Sequence, residues 1–181
     1  MKIVTYPNQI LEKIAEKVSL PINPETRHLI KQMWDEVQDK GVGLAAPQVG
    51  VSKQLCIIHL DKEMAQKKDK KLDFVLINPK IIFFSEIQHE MIEGCLSFPK
   101  KYFEIIRPAN ITVEFVEITN FLEIIKNPKT EAKTRIKTMQ AGGWMSRVIQ
   151  HEVDHLNGKL FINLGGKKIK EEETKNRSVI E

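Results

Sequence analysis

Apolar side chains recur at helical spacing in three parts of the chain. The first is "PNQILEKIAEKV", which starts at Pro7 and carries Ile10, Leu11, Ile14 and Val18. Spacing of mostly three or four residues places side chains on one face of a helix. We therefore predict a helix near the start of the chain.

The second helical pattern, "NPETRHLIKQMWDEVQDKG", is stronger. Asn23 suits the position that caps a helix, Pro24 suits the first turn, and Gly41 suits the end. The apolar positions form one stripe, made of Leu29, Ile30, Met33, Trp34 and Val37. We predict that this stripe packs into the core rather than forming a cofactor surface.

After Gly41 the pattern changes to short runs rich in Ile, Val and Phe, which Asn, Pro and charged residues interrupt. Such runs are typical of strands. They predict six strands, at 54–60, 74–79, 80–87, 102–107, 111–118 and 121–126. No repeat of fixed period and no Pro- or Ser-rich linker divides the chain.

The third helical pattern runs from Gly143 to Leu156. One face carries Trp144, Val148, His151 and His155, and the remaining surface carries Met145, Ile149, Val153 and Leu156. A helix that is apolar on nearly all sides is buried. We therefore predict an α+β fold, in which antiparallel strands surround a central buried helix.

Composition is typical of one globular domain, because 41% of the 181 residues are hydrophobic and 29% are charged. We assign residues 1–165 to that domain and residues 166–181 to a charged C-terminal tail. No apolar run reaches the roughly 18 residues of a membrane span or forms a signal-peptide core. We expect a cytoplasmic protein with no membrane partner. The alternative is an organellar form trimmed of its transit peptide.

The formal net charge is only +4, and the basic residues gather at 66–71 and 127–137. We interpret both segments as solvated loops, with a weak contact to RNA as the alternative. A reducing cytosol argues against a disulfide between the two cysteines. Cys56 lies in an apolar run typical of a core, whereas Cys95 lies in "EGCLSFP" among turn-forming residues.

A metal-binding pattern lies in the third helix. In "QHEVDHLNG", His151 and His155 are four residues apart, so their rings project side by side. Two imidazoles in that arrangement suit one small cation. Glu152 projects about 100° round the helix, where a carboxylate can take a proton from a water on the metal. A structural metal site usually has four protein ligands, so the extra carboxylate favours catalysis.

Two histidines leave the metal short of a ligand. No histidine follows His155, and the acidic cluster Glu171–Glu173 lies in the charged tail. Cys95 is the best candidate, because a thiolate with two imidazoles gives a tetrahedral site that keeps one open position. The backbone amide after Cys95 can donate a hydrogen bond to an oxyanion.

The stretch "GVGLAAPQVG", from Gly41 to Gly50, has small side chains that leave the backbone bare. A peptide can lie beside such a backbone as an added strand. Gln48 in this stretch carries a neutral amide that can donate to an oxyanion. The alternative interpretation is an ordinary bend between a helix and a strand.

Three motifs together closely resemble those of peptide deformylase. They are "GVGLAAPQ" (41–48), "EGCLS" (93–97) and "HEVDH" (151–155), in this order and in a chain of this size. The resemblance extends from "TYPNQIL" near the start to "HLNGKLF" (155–161). It implies a metal-dependent hydrolase that removes the formyl group from the N-terminal formyl-methionine of newly synthesised polypeptides and releases formate.

The resemblance also implies roles for particular residues. The metal ligands would be Cys95, His151 and His155. The native metal would be Fe²⁺, and Zn²⁺, Ni²⁺ or Co²⁺ can occupy such sites. Glu152 would be the acid/base, and the Gln48 side chain and the Leu96 N–H would stabilise the oxyanion.

The substrate side of the site is implied in the same way. Gly43 would hold the substrate backbone. Candidates for the apolar methionine pocket are Val42, Leu44, Trp144 and Val148. An ordinary core role is the alternative for Trp144 and Val148.

Three features depart from the pattern of many relatives. Met91 and Ile92 precede Glu93 where many relatives have an acidic residue, and Arg147 stands where some have an aliphatic pocket residue. The segment from about 119 to 142 is longer than in compact members. These departures leave the subtype and the substrate preference beyond methionine open.

The basic part of that segment, 127–143, is predicted to leave the sheet, loop through solvent and return beside the active site. One hypothesis is that it holds ribosomal RNA or an acidic partner loosely. The alternative is a solvated insertion.

Two other functional classes have metal sites or folds of this kind. A zinc endopeptidase would cleave internal peptide bonds. Comparing the turnover of a formyl-methionyl peptide with that of an internally blocked peptide would distinguish the two activities. A non-catalytic binding module would bind no metal after anaerobic purification. The intact Gln48, Cys95, Glu152 and histidine pair argue against the second class.

Overall fold

The structure is a computed structural model that describes residues 1–38, 40–60, 72–175, 177 and 179–180. The basic cluster predicted at 66–71 lies outside these residues. The helices in the described residues are α1 (Pro24–Val37), α2 (Phe121–Lys126), α3 (Gly143–Leu156) and α4 (Glu171–Thr174). The strands are β1 (Gly43–Ala45), β2 (Leu55–Leu60), β3 (Leu72–Phe84), β4 (Gln88–Glu93), β5 (Tyr102–Pro108), β6 (Asn110–Ile118), β7 (Thr134–Gly142), β8 (Lys167–Ile169) and β9 (Val179–Ile180).

The strands form two sheets. The larger sheet has the order β1-β2-β3-β6-β7, and its neighbouring strands pair antiparallel in the described residues. The smaller sheet has the order β8-β5-β4-β9, in which β4 and β9 run parallel. The combination of helices with mainly antiparallel sheets confirms the predicted α+β class.

Helix α3 is the central buried element, as predicted, and its bounds match the prediction. It contacts β1, β2, β6, β7 and β9. Val148 is completely buried on the face that carries both buried histidines, and Ile149 is completely buried on the remaining surface. The helix therefore carries its polar side chains into an enclosed site. Among the helices that the structure describes, none has the length and apolar character of a membrane crossing.

Helix α1 also begins where the sequence predicts. The Asn23 side chain accepts a hydrogen bond from the Thr26 N–H at 2.8 Å, which caps the helix. The helix ends at Val37, and the Gly41 N–H donates to the Val37 carbonyl. All five residues of the predicted apolar stripe are buried in one core cluster that also contains Phe121 and Ile124 of α2.

The helix predicted from Pro7 is wrong. Only one 3-10 turn forms, at Gln9–Glu12, and the chain then becomes extended. The extended backbone satisfies its hydrogen bonds with neighbours: the Ala15 N–H donates to the Leu156 carbonyl and the Glu16 carbonyl accepts from Gln54. Ile14, assigned to the apolar face, is 72% exposed. Pairing with distant backbone therefore outweighs the local helical pattern.

The strand predicted at 121–126 is α2. The Asn120 carbonyl accepts from the N–H groups of Glu123 and Ile124, which starts a helical turn. Phe121 and Ile124, three residues apart, are buried in the cluster that contains α1. The short apolar run is compatible with a strand or with a helix. Its packing against α1 uses the helical spacing, which places Phe121 and Ile124 on one face.

The predicted excursion of 127–143 from the sheet is wrong for residues 134–142, whereas 127–133 form a loop outside the strands. Residues 134–142 form β7, and each of the nine residues pairs with a residue of β6. Arg135 and Lys137 form ion pairs with Glu117 of β6. The two basic side chains, which were predicted to lie in a solvated loop, therefore form cross-strand ion pairs.

The middle strands differ in detail from the prediction. The runs at 74–79 and 80–87 are combined in the single strand β3, whose register with β6 shifts between Ile77 and Lys80. The predicted strands at 54–60, 102–107 and 111–118 correspond to β2, β5 and β6. Strand β4 was not predicted, because its sequence, "QHEMIE", has few of the residues typical of strands.

Residues of the charged segment 166–181 contribute to the smaller sheet. Strand β8 pairs with β5, and β9 pairs with β4. Ile169 and Ile180 are buried, whereas Glu171, Glu172 and Glu173 of α4 are exposed. The division into a 1–165 domain and a 166–181 tail stays a prediction, although strands of the predicted tail complete the sheet.

We expect Ile30→Ala to lower the free energy of unfolding by about 2–5 kcal/mol, because it removes a side chain that is completely buried. Ile14→Ala, at the exposed position, should change it by less than about 0.5 kcal/mol. Urea denaturation of both variants measures the difference. Equal losses would contradict the core assignment.

Candidate metal centre

Three predicted ligands converge between the two sheets. His151 and His155 project from α3, and Cys95 follows β4 after one glycine. Their ligand atoms all lie within 4.8 Å of one another, and all three residues are buried. The Cys95 Sγ and the His155 Nε2 are 3.2 Å apart. A single small cation can therefore contact one sulfur and two nitrogens.

Glu93 fixes the orientation of His151. Its Oε2 is 2.9 Å from the His151 Nδ1. This contact leaves Nε2 as the nitrogen for a metal, an arrangement common among metal-binding histidines. Glu93 belongs to the "EGCLS" motif, but nothing in the local sequence predicts its contact with His151.

Two buried arginines hold Glu93. Arg107 donates to both carboxylate oxygens, at 2.7 and 3.0 Å, and Arg147 donates to Oε1 at 2.9 Å. Arg107 also donates to Asp154 at 2.6 Å. Burial raises the pKa of Glu93, but His151 and Arg107 outweigh burial, so the pKa falls well below its usual range. Arg147, which stands at a pocket position in some relatives, therefore binds Glu93 here.

The pKa values of the two histidines shift in opposite directions. Burial lowers the pKa of His151, but its interactions with Cys95 and Glu93 raise it well above the usual range. Burial and the positive charges of His151 and Arg107 lower the pKa of His155. The centre thus favours one positive charge beside a neutral imidazole. A divalent metal ion fits this donor set, since a thiolate and neutral imidazoles are its ordinary ligands.

Glu152 lies beside the ligands and has the environment of an acid/base. Burial raises its pKa to about 7; the charge of Glu93 adds to the rise and His151 opposes it. Within the described part of the chain, its Oε2 has no hydrogen-bond partner. An oxygen buried without a partner is costly, and a carboxyl group that titrates near neutral pH suits proton transfer.

Gly43 lies against Glu152. A Cβ built at position 43 would lie 2.5 Å from the Glu152 Oε1 and 2.8 Å from Cδ. No side chain fits at that distance, so the glycine provides the space that the carboxylate occupies. The missing side chain at Gly43, which was predicted to expose backbone to a substrate, therefore also makes room for Glu152.

The Gln48 side chain is directed at the centre. Its Oε1 accepts a hydrogen bond from the Ala45 N–H at 2.8 Å, and its Nε2 donates to the Cys95 Sγ at 3.4 Å. Because the carbonyl oxygen is fixed by backbone, the amide nitrogen must point toward Cys95. Gln48 is 2% exposed, and its amide has a second N–H.

Strand β1 forms one edge of the larger sheet. The His59 N–H donates to the Val42 carbonyl, and Leu44 lies opposite Ile57. Peptide groups in an antiparallel pair face the partner at alternate residues, so those of Val42 and Leu44 face β2. Those of Gly43 therefore face away from β2, although all three residues of β1 are buried.

The four candidates for the methionine pocket divide between two clusters. Leu44 is completely buried in the first cluster, which is the one that contains the apolar stripe of α1. The second cluster contains Ile58, Phe115 and Ile149; Val148 is completely buried in it, and Val42 and Trp144 pack at its margin. Leu96, whose backbone was assigned to the oxyanion, is half-buried and packs at the margin of that first cluster.

Comparisons with known proteins agree with this geometry. The family model for polypeptide deformylase matches residues 1–171. A peptide deformylase of Prochlorococcus marinus is 35% identical over 99% of this chain and 83% of that protein. One of Rhizobium meliloti is 36% identical over 89% of this chain and 82% of that protein.

Solved structures show the same likeness. A peptide deformylase from Synechococcus elongatus in complex with actinonin has a TM-score of 0.73 and 34% identity, covering 91% of this chain and 78% of that one. One from Ehrlichia chaffeensis has a TM-score of 0.75 and 30% identity, covering 91% and 87%. Because the family model and these relatives match most of the chain, it belongs to the peptide deformylase family and removes the formyl group from the N-terminal formyl-methionine of newly synthesised polypeptides.

Proposed function

We propose that deformylation occurs at the centre formed by Cys95, His151 and His155, with Glu152 as the acid/base. The observation that carries this proposal is the convergence of three metal-binding side chains beside a buried carboxyl group whose pKa is about 7. A divalent ion held by these ligands would polarise the formyl carbonyl and acidify the attacking water.

Glu152 moves the proton in this reaction. Its carboxylate accepts a proton from the water as the water oxygen bonds to the formyl carbon. The carbon–nitrogen bond then breaks, and the protonated Glu152 returns the proton to the amine nitrogen. The products are formate and a peptide with a free N-terminus.

The oxyanion that forms on the formyl oxygen is assigned two donors. One is the second N–H of the Gln48 amide, whose carbonyl is held by Ala45. The other is the Leu96 backbone N–H, which follows Cys95 directly. Donors fixed before the reaction stabilise developing charge without reorganisation.

The substrate is proposed to add to β1 as an extended strand. Gly43 would supply its outward-facing peptide groups to the substrate backbone. Val42, Trp144 and Val148 would contact the methionine side chain, since they share one cluster near the buried centre. Leu44 is retained as a candidate through its position in β1.

Fe²⁺ is the metal that we propose for the native enzyme, with Zn²⁺, Ni²⁺ or Co²⁺ as metals that the same ligands accept. Thiolate and imidazole ligands suit each of these ions. We place the activity in the cytoplasm, where new polypeptides are made.

Glu152→Gln should keep its bound metal and lose activity by about 10²–10⁴-fold, because the amide cannot carry the proton. The assay is formate release from a formyl-methionyl peptide by anaerobically purified protein. A peptide without an N-terminal formyl group is the control for endopeptidase activity, because only an endopeptidase would cleave its internal bonds. Near-full turnover by the variant would exclude the proposed role of Glu152.

Cys95→Ser should bind metal more weakly than the unaltered chain, because it replaces the thiolate ligand. Cys56→Ser is the matched control, since Cys56 is also a buried free cysteine but lies in β2. Metal content after anaerobic purification and dialysis measures the difference, and it also identifies the ion. Equal metal content in all three proteins would count against the ligand set.

The basic segment 127–143 carries the hypothesis of a ribosome contact, with a solvated insertion as its alternative. Glu117 pairs with Arg135 and Lys137, which leaves Lys129 and Lys133 as exposed cations of the 127–133 loop. Such charges act only within about 8–10 Å at physiological salt. This arrangement supports the solvated interpretation.

We therefore expect alanine at Lys129 and Lys133 to leave both peptide turnover and ribosome co-sedimentation unchanged. Sedimentation at low and moderate salt measures the second quantity. A salt-dependent loss of co-sedimentation with normal turnover would instead establish a ribosome contact at this loop.

A further inference from the structure

Strand β9 lies directly beside the metal-binding loop. Val179 pairs with Ile92 and Ile180 pairs with Glu93, in parallel register. The Ile180 carbonyl accepts a hydrogen bond from the Gly94 N–H at 2.6 Å. Since Gly94 precedes the Cys95 ligand, β9 occupies the edge of β4 nearest the reaction centre.

The Ile180 side chain shares a core cluster with candidates for the methionine pocket. It is 2% exposed and belongs to the second core cluster. Val148 belongs to the same cluster, and Val42 and Trp144 pack at its margin. Strand β9 also contacts α3, which carries the two histidine ligands. An extended backbone with one apolar side chain in this cluster has the two features that a methionyl peptide needs for binding.

We propose that β9 is an internal competitor of the substrate. Its backbone uses the β4 edge beside the metal ligands, and Ile180 takes the place of the substrate methionine side chain. A formyl-methionyl peptide must then displace Ile180 before its formyl group can reach the centre. This proposal rests on the proposed function, because the pocket it blocks is the one assigned there.

The attachment of β9 is slight enough for displacement. Two of the residues that the structure describes form the strand, and α4, which lies between it and β8 in the chain, has no buried residue. Strand β8 has its own pairing with β5, which involves Tyr102, Phe103 and Glu104. Short segments with few buried contacts open at low free-energy cost. Strand β9 can therefore leave its position while β8 stays on the sheet.

The test is a comparison of Ile180→Gln with Ile169→Gln in the full chain. Both replace a buried isoleucine of the same charged segment, but Ile169 lies in β8, on the opposite edge of the smaller sheet. Full burial of one isoleucine side chain corresponds to about 10–100-fold in an equilibrium constant. We expect Ile180→Gln to lower KM for a formyl-methionyl tripeptide by about tenfold, with kcat unchanged.

Ile169→Gln should leave KM unchanged. Ile180→Met, which keeps a large apolar side chain in the pocket, should retain the KM of the unaltered chain. Thermal unfolding of each variant shows whether the fold is retained. An Ile180→Gln variant that is folded and has an unchanged or higher KM would overturn the proposal.

A second measurement does not depend on turnover. Amide hydrogen exchange is followed with and without a deformylated methionyl tripeptide. Displacement predicts faster exchange at Val179 and Ile180 when the peptide binds, whereas a strand that is only structural would show unchanged or slower exchange. If metal-loaded protein released no formate, the proposed function would fail, and the exchange result would still decide the role of β9.

Discussion

The centre depends on one buried carboxylate. Glu93 is completely buried, and it accepts hydrogen bonds from Arg107 on β5 and from Arg147 on α3 while it contacts His151. It thereby joins β4, β5 and α3 at the point where the ligands converge. Loss of one partner from a buried charged group costs about 3–5 kcal/mol, so a change at either arginine should disturb the fold and the ligand orientation together. Glu93 has one negative charge and contacts two arginines. Asp154 supplies a second negative charge by accepting a hydrogen bond from Arg107.

Space is the second constraint on the site. Glu152 lies on α3 one residue after His151, so its direction is fixed by the same helix that fixes the ligands. Its carboxyl group occupies the volume that a side chain at position 43 would need. The β1 backbone can therefore approach α3 closely only because Gly43 has no side chain.

Features that are local in the sequence could be predicted, and those that depend on distant pairing could not. The His151 and His155 pair follows from helical spacing, and the cap of α1 follows from Asn23. The ion pair of Glu93 with Arg107 joins neighbouring strands, and nothing in either local sequence indicates the partner. Likewise the run 121–126 satisfies both helical and strand patterns, and its packing against α1 decides between them. Strand β7 was missed because its exposed side chains resemble those of a loop, although its pairing with β6 is complete.

A peptide-binding enzyme has to keep strand edges accessible, and accessible edges also pair with unwanted chains. Strand β1 is short, which limits what can add to it, whereas β4 has six residues and would expose a longer edge beside the metal. Strand β9 covers the end of β4 nearest Cys95 with a backbone hydrogen bond and one apolar side chain. A peptide that adds to β1 and fills the pocket with its side chain can displace Ile180, while a chain that lacks a suitable apolar side chain gains less from doing so. Competition by Ile180 would therefore raise the selectivity of the pocket as well as protect the edge, because displacement favours side chains that fill the pocket at least as well.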